Sequence, residues 1–255
     1  MTLLYRIDGP PSAPVLVLSG SLGTTHRLWD AQLPALLGHF RVLRHDHRGH
    51  GGSAVVPGPY AMEDLAGDLL EVLDRNGIDR VAFCGLSLGA AVGITLARDA
   101  PERVERLVLC SASDRFGTAE SWAERARVVR DSGLEPIADD ILARWFTPRF
   151  RARRPQAVAR FRAMLTATPA EGYAACCDAL GAWGVRGRLG PVVAPTLVLA
   201  PENDPATPPA QGRELTEAIG TARLVVLTHA AHLANVERPG AFTTAVLGHL
   251  LQEAA

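Results

Sequence analysis

The sequence predicts an α/β fold in which helices cover both faces of a mainly parallel sheet and a helical cap is inserted between two strands. Three observations lead to this prediction. Short apolar runs alternate with longer helical patterns, as in chains that build parallel sheets. Several of these runs are nearly continuous in Val, Leu and Ile, which is typical of strands buried on both faces. One long central stretch contains helical patterns without strand patterns.

Seven short apolar runs are predicted as strands. In chain order they are Leu3–Ile7, Val15–Leu18, Arg41–Arg44, Arg80–Cys84, Arg106–Cys110, Thr196–Leu199 and Arg223–Leu227. Helical patterns lie between or after them, at Trp29–Leu37, Met62–Arg75, Ser87–Asp99, Pro209–Ala218 and Pro239–Ala254. We therefore expect residues 1–114 and 190–255 to form the core that contains the sheet.

The central stretch, residues 115–189, is predicted as the cap. Its helical patterns are separated by Pro and Gly, and they cover Glu120–Asp131, Pro136–Trp145, Pro155–Leu165 and Ala170–Gly181. The stretch contains more Arg than acidic residues, so the cap is locally basic. Most of these Arg side chains are expected on solvated helix faces.

Length, charge and cysteine content limit the possible classes of function. A chain of 255 residues suits one α/β domain with an insertion. The formal net charge of −1 gives no indication of nucleic acid or of an anionic membrane as a partner. The four cysteines show neither a disulfide framework nor metal-ligand spacing. No signal pattern or membrane-length apolar run is present. We expect a cytoplasmic protein without a metal or cofactor; the sequence does not indicate its oligomeric state.

The pentapeptide Gly85-Leu86-Ser87-Leu88-Gly89 is the strongest chemical signal in the chain. It joins an apolar strand to a helix rich in small residues, which is the context of a nucleophile elbow. A serine in such a turn has a strained backbone, so its close neighbours must be small. The motif therefore predicts acyl transfer through an ester of Ser87, although a Gly-rich turn with an ordinary serine would have the same pattern.

A nucleophilic serine requires a base, and the base requires an acid that orients it. Strand Thr196–Leu199 leads into a loop that contains Asp204, which we predict as the acid. Glu202 in the same loop is a weaker candidate. Asp114, after the strand that ends at Cys110, is the other serious alternative.

The last strand leads into a loop that contains His229 and His232. We predict His232 as the base because it directly precedes the segment that leads into the last helix. His229 is the alternative, and the eight histidines of the chain make a chance placement in this loop possible.

An oxyanion hole requires backbone N–H groups that point at the developing charge. Leu88 follows the nucleophile, so its amide is predicted as one donor. The second donor is predicted in the loop after strand Val15–Leu18, and we assign it to Leu22. The loop of residues 46–53 is also rich in glycine, and we expect a scaffolding role in which Arg48 pairs with carboxylates or carbonyls.

The order of elbow, acid and histidine resembles that of the α/β-hydrolase fold family. The resemblance covers essentially the whole chain and becomes more specific at motifs in the first loop, the cap and the histidine segment. These motifs are Ser21-Leu22-Gly23-Thr24, Arg144-Trp145-Phe146-Thr147-Pro148, Gly172-Tyr173-Ala174-Ala175-Cys176-Cys177 and Ala231-His232-Leu233-Ala234-Asn235-Val236-Glu237. Together they are similar to the 3-oxoadipate enol-lactone hydrolases of the β-ketoadipate pathway.

This resemblance implies the same catalytic residues, Ser87, His232 and Asp204, and it adds Trp145 as a residue that lines the substrate pocket. It implies a small lactone with a free carboxylate as substrate and a role in aromatic catabolism. The sequence does not indicate which residue binds the carboxylate. Other hydrolases on the same scaffold, such as a carboxylesterase, a perhydrolase or a C–C hydrolase, stay open as alternatives. A ligand-binding receptor on this scaffold is the alternative from another class.

Overall fold

In the computed structural model, which describes residues 3–252, seven strands form one sheet. The strands are β1 (Tyr5–Asp8), β2 (Val15–Ser19), β3 (Arg41–His45), β4 (Val81–Leu86), β5 (Val104–Cys110), β6 (Thr196–Pro201) and β7 (Ala222–Leu227). Their order across the sheet is β1-β3-β2-β4-β5-β6-β7. Only β1 is antiparallel to its neighbour, β3. The predicted α/β class and all seven predicted strands are confirmed.

Eleven α-helices connect or follow these strands within residues 3–252. They are α1 (Leu33–Leu36), α2 (Met62–Arg75), α3 (Leu88–Asp99), α4 (Ala119–Ser132), α5 (Ala138–Trp145), α6 (Pro148–Arg153), α7 (Pro155–Thr166), α8 (Ala170–Ala182), α9 (Pro209–Ala218), α10 (Ala234–Glu237) and α11 (Pro239–Leu250). Helices α4 to α8 all lie between β5 and β6, where the sequence predicts the cap. None of these described helices is long and apolar enough to cross a membrane.

The helical predictions differ from the structure at the first and the last helix, and two short helices are not predicted. The pattern at Trp29–Leu37 corresponds to a short 3₁₀ helix at His26–Trp29 followed by α1. Pro34 lies in the first turn of α1, which is the part of a helix where proline is tolerated. The last helix ends at Leu250, and the final residues of the predicted span Pro239–Ala254 lie outside the described residues. Helices α6 and α10 are not among the predicted elements.

The central strands form the core of the sheet, and their ends determine where the predicted catalytic residues lie. All six residues of β4 and all six of β6 are buried, which agrees with their continuous apolar sequence. Because β2, β4, β5, β6 and β7 are parallel to one another, their carboxyl ends meet at one edge of the sheet. The loops after these ends contain the residues that the sequence predicts as catalytic, as expected for an open α/β sheet.

The turn between β4 and α3 is strained and tightly packed. Ser87 has φ 57° and ψ −112°, a conformation that non-glycine residues rarely adopt. A Cβ atom on Gly85 would lie 2.3 Å from the carbonyl oxygen of Gly89, and one on Gly89 would lie 2.1 Å from that of Ser19. The two glycines are therefore required by close approach of the backbone, as the elbow motif predicts.

Candidate active site

Ser87 lies at the carboxyl end of β4, directly before the first residue of α3. Its backbone N–H donates to the carbonyl of Cys110 at the end of β5, at 3.0 Å. This bond fixes the elbow to the neighbouring strand. The residue is 8% exposed, and it lines the cavity described below. Its hydroxyl is therefore available to a molecule in that cavity.

Asp204 and His232 form a buried pair. His232 Nδ1 lies 2.8 Å from Asp204 Oδ2, and a carboxylate can only accept this bond, so Nδ1 carries the proton. The other ring nitrogen, Nε2, is then left unprotonated in the neutral ring and can act as a base. The geometry supports Asp204 as the residue that orients His232.

Hydrogen bonds keep the Asp204 carboxylate ionised in spite of its burial. Burial alone would raise its pKa, but the facing His232 ring and the donors of Thr207 lower it below its ordinary value. Oδ1 accepts from the amides of Ala206 (2.9 Å) and Thr207 (3.2 Å), and Oδ2 accepts from the hydroxyl of Thr207 at 2.6 Å. The carboxylate is therefore held in one orientation by four donors in all.

The alternative acids and the alternative base have other partners. Asp114 lies 2.8 Å from the guanidinium of Arg186. Glu202 accepts a bond from the amide of His229 at 2.9 Å, and both of these residues are exposed. In the described part of the chain, none of the three forms a hydrogen bond with His232 or Ser87. The geometry therefore favours Asp204 and His232 over the alternatives.

The loop that carries His232 is anchored on two sides. The carbonyl of His232 accepts from the hydroxyl of Ser111 at 2.8 Å. The amide of Leu233 donates to the carbonyl of Trp145 at the end of α5, at 3.1 Å. Within residues 3–252, Ser87 and His232 line one cavity but are not hydrogen-bonded to each other. In free enzymes such catalytic contacts are often long and tighten when substrate binds.

The amides of Leu22 and Leu88 have the properties expected of oxyanion donors. Leu88 is the first residue of α3, so its N–H has no partner within the helix. Leu22 lies in the turn after β2 and lines the same cavity as Ser87. Neither amide has a hydrogen-bond acceptor among residues 3–252. The amide of Gly89 donates to the carbonyl of Gly20 at 2.9 Å, which joins the two segments.

A cavity of about 500 Å³ opens above Ser87 and His232. The cap supplies much of its wall, through α4, α5 and α8; these lining residues are Ser121, Trp122, Glu124, Arg125, Ile141, Arg144, Trp145 and Tyr173. Trp145 is thus placed where the resemblance implies. The cavity is large enough for a small organic molecule.

The charge in this cavity is positive. Arg125 and Arg144 line it, and neither forms an ion pair with any described residue. The guanidinium of Arg125 lies over the ring of Trp122, 4.8 Å from the ring centroid. Glu124 also lines the cavity, but its carboxylate pairs with Arg127 at 2.7 Å. An anionic group on a ligand would therefore find an uncompensated guanidinium here.

Arg48 has the scaffolding role that the sequence predicts. Its Nε and one terminal nitrogen each donate to an oxygen of Asp68 at 2.7 Å, which is a bidentate pair between the loop of residues 46–53 and α2. Three buried histidines at the end of β3 and in this loop, His45, His47 and His50, contact the end of β2 and the loop after it. The sequence gives no signal for these contacts, because the two segments lie far apart in the chain.

The fold is that of a hydrolase, and the paired Asp204 and His232 lie at the same edge of the sheet as the elbow. The family model for the alpha/beta hydrolase fold matches residues 13–239, and the chain belongs to this family.

The chain is similar to known enol-lactonases over nearly its whole length. It is 39% identical to 3-oxoadipate enol-lactonase 2 of Acinetobacter baylyi, over 96% of this chain and 92% of the relative. Among solved structures, the enol-lactonase of Burkholderia xenovorans is 44% identical with a TM-score of 0.96, over 98% of this chain and 96% of that one. A hydrolase of Pseudomonas aeruginosa is 47% identical with a TM-score of 0.95, over 98% of this chain and 94% of that one.

Proposed function

We propose that this enzyme hydrolyses 3-oxoadipate enol-lactone to 3-oxoadipate through a covalent ester on Ser87. The observation that carries the proposal is a strained serine that shares one positively charged cavity with the Asp204–His232 pair. The similarity to enol-lactonases narrows the substrate from esters in general to this lactone. The same similarity supports a role in the β-ketoadipate pathway of aromatic catabolism.

The first half of the reaction opens the ring. Ser87 Oγ attacks the lactone carbonyl while His232 Nε2 takes its proton, and the amides of Leu22 and Leu88 stabilise the oxyanion. The bond between the carbonyl carbon and the ring oxygen then breaks. The leaving oxygen belongs to an enol, which takes the proton from His232 and converts to a ketone. This conversion makes the ring opening hard to reverse.

The second half releases the product. His232 takes a proton from a water molecule, which attacks the ester carbonyl in the same oxyanion site. Ser87 Oγ leaves and recovers the proton from His232, so the enzyme returns to its starting state. In both halves of the reaction, Asp204 stabilises the imidazolium of His232 and holds the His232 ring in one orientation.

The positive cavity supports a substrate with a free carboxylate. We infer that Arg125, which has no ion-pair partner among the described residues, binds this carboxylate, with Arg144 adding positive charge. Trp122 and Trp145 supply apolar wall for the rest of the lactone. In this proposal residues 115–189 act as a cap domain that forms the binding pocket, and residues 1–114 and 190–255 supply the catalytic groups.

The proposal is tested by steady-state kinetics on the enol-lactone and on a neutral aryl ester. We expect a higher kcat/KM for the lactone, and we expect Ser87→Ala to abolish turnover of both substrates with the fold intact by circular dichroism. Arg125→Gln should raise KM for the lactone and leave that for the neutral ester nearly unchanged.

Two results would contradict different parts of the proposal. Aryl-ester turnover without lactone turnover would keep the serine mechanism and overturn the substrate. Retained turnover in Ser87→Ala would overturn the nucleophile itself.

A further inference from the structure

The loop of residues 20–23, which follows β2, contains the amide of Leu22 that the proposed reaction uses. Two backbone groups beside Leu22 are held by side chains from another part of the chain. The carbonyl of Gly20 accepts from His47 Nε2 at 2.9 Å. The amide of Gly23 lies 2.9 Å from His50 Nε2. The Leu22 amide thus lies between two imidazole contacts.

The partners of His50 define its tautomer. A backbone N–H can only donate, so His50 Nε2 is an acceptor toward Gly23. A backbone carbonyl can only accept, so His50 Nδ1, which lies 3.1 Å from the carbonyl of Arg48, is the donor. The ring must therefore be neutral and protonated on Nδ1 to make both bonds.

The surroundings of His50 keep it in this state. The residue has no exposed surface, and its ring contacts that of His47 edge to face, with 6.1 Å between the centroids. Burial is the main cause that lowers the pKa of His50 to about 4, and the neighbouring His47 lowers it further. The ring therefore stays neutral, and Nε2 stays an acceptor, at neutral pH.

The amides of the two residues after Leu22 both have acceptors. Thr24 donates its amide and its hydroxyl to the carbonyl of Ser21, and Gly23 donates to His50. The amide of Leu22, which directly precedes Gly23 in the chain, has no acceptor among the described residues. A small rotation of this peptide would move its N–H away from the position of the oxyanion.

We propose that His50 is a positioning residue of the oxyanion hole: by accepting the Gly23 amide, it fixes the turn that points the Leu22 amide at the reacting carbonyl. The inference rests on the proposed serine mechanism. Among the described residues, His50 neither lines the cavity nor forms a hydrogen bond with Ser87, so we infer that it acts only through this turn. Its loss should weaken the binding of the transition state and leave the binding of substrate nearly unchanged.

Two substitutions of His50 separate its two hydrogen bonds. The side-chain oxygen of Gln reaches the position of Nε2, so His50→Gln keeps an acceptor for Gly23. The shorter amide of Asn reaches the position of Nδ1, so His50→Asn keeps the bond to the Arg48 carbonyl and loses the one to Gly23. His39→Asn, at an exposed histidine, is the matched control.

Loss of an oxyanion donor costs a factor of about 100 to 1,000 in kcat, so a misdirected donor should cost about 10 to 100. We expect His50→Asn to lower kcat for the lactone by this factor with KM changed less than about threefold. The inhibition constant of an aryl boronic acid, which forms a tetrahedral anion on Ser87, should rise by a similar factor. His50→Gln should recover kcat to within about threefold, and ¹⁵N NMR of the histidines in the wild type should show His50 protonated on Nδ1.

Three outcomes would overturn the proposal. In the first, both variants keep the wild-type kcat. In the second, kcat falls in both variants, and the decrease follows the decrease in their thermal stability. A His50 ring protonated on Nε2 in the wild type would contradict it even if His50→Asn failed to fold. A wild-type enzyme with no turnover of lactones or esters would instead contradict the proposed function, so the two failures are distinguishable.

Discussion

The substitution Asp204→Asn tests the role of the acid with almost no change in shape. Two backbone amides donate to Oδ1 of Asp204. An asparagine must place its oxygen at this position, because its NH₂ group cannot accept those bonds. The NH₂ group then occupies the position of Oδ2, where it faces His232 Nδ1. Thr207 can adapt, because its hydroxyl can reverse and accept.

The reversed donor changes the tautomer of His232. The asparagine NH₂ donates to Nδ1, so the proton of the neutral ring moves to Nε2, which can then no longer accept the proton of Ser87. The corresponding change in a Ser-His-Asp protease costs a factor of about 10⁴ in kcat. Here we expect a loss of similar size, or about 5.4 kcal/mol in the activation barrier.

The assay is the kcat for the enol-lactone from pH 6 to 9, with thermal unfolding of each variant measured alongside. The matched control is Asp114→Asn, at the alternative acid, whose partner is Arg186 and not His232. We expect Asp114→Asn to keep the wild-type kcat. A kcat within about tenfold of wild type for Asp204→Asn, or a large loss for Asp114→Asn, would refute the assignment of Asp204.

Two further predictions concern stability. Each carboxylate oxygen of Glu237 accepts one backbone amide, from Thr147 or from Ala231, so Glu237→Gln leaves one of these donors facing an NH₂ group. We expect urea unfolding to show that the variant loses about 1–3 kcal/mol of the free energy of unfolding. An unchanged unfolding midpoint would contradict this prediction. The pKa of His50 is lowered from 6.5 to about 4 by burial, so the unfolded chain takes up a proton on this residue at a higher pH than the folded chain does. The free energy of unfolding should therefore fall between pH 6.5 and 4, by up to about 1.4 kcal/mol per pH unit from His50. The slope should be smaller in His50→Gln, and an equal slope in both proteins would contradict the prediction.

The central strands of the sheet could be predicted from the sequence because they are buried on both faces. Strand β4 and the part of β6 after Thr196 have no polar side chain, which leaves little ambiguity about their class. Short helices gave no comparable signal. Helix α6 is rich in Arg and has no apolar period, and α10 has four residues. Helix α6 is capped in the folded chain by the bond from the Phe150 amide to the Thr147 side chain, and α10 has no side-chain cap.

The candidate site could be predicted where residue type and chain order determine the chemistry. Ser87 lies in the elbow after β4, and Asp204 and His232 lie in the loops after β6 and β7. The structure places Asp204 beside His232. The proposed roles of Arg125 and His50 could not be predicted in this way. An Arg on a cap helix faces the cavity or solvent according to how that helix packs, and the partner of His50 lies 27 residues away in sequence.

The covalent ester on Ser87 is the central claim, and mass spectrometry of the enzyme quenched with acid during turnover of the enol-lactone tests it most directly. The account predicts a mass increase equal to that of one lactone molecule, located on the peptide that contains Ser87 and absent in Ser87→Ala. Lactone turnover with the adduct on another residue, or with full activity in Ser87→Ala, would contradict the account.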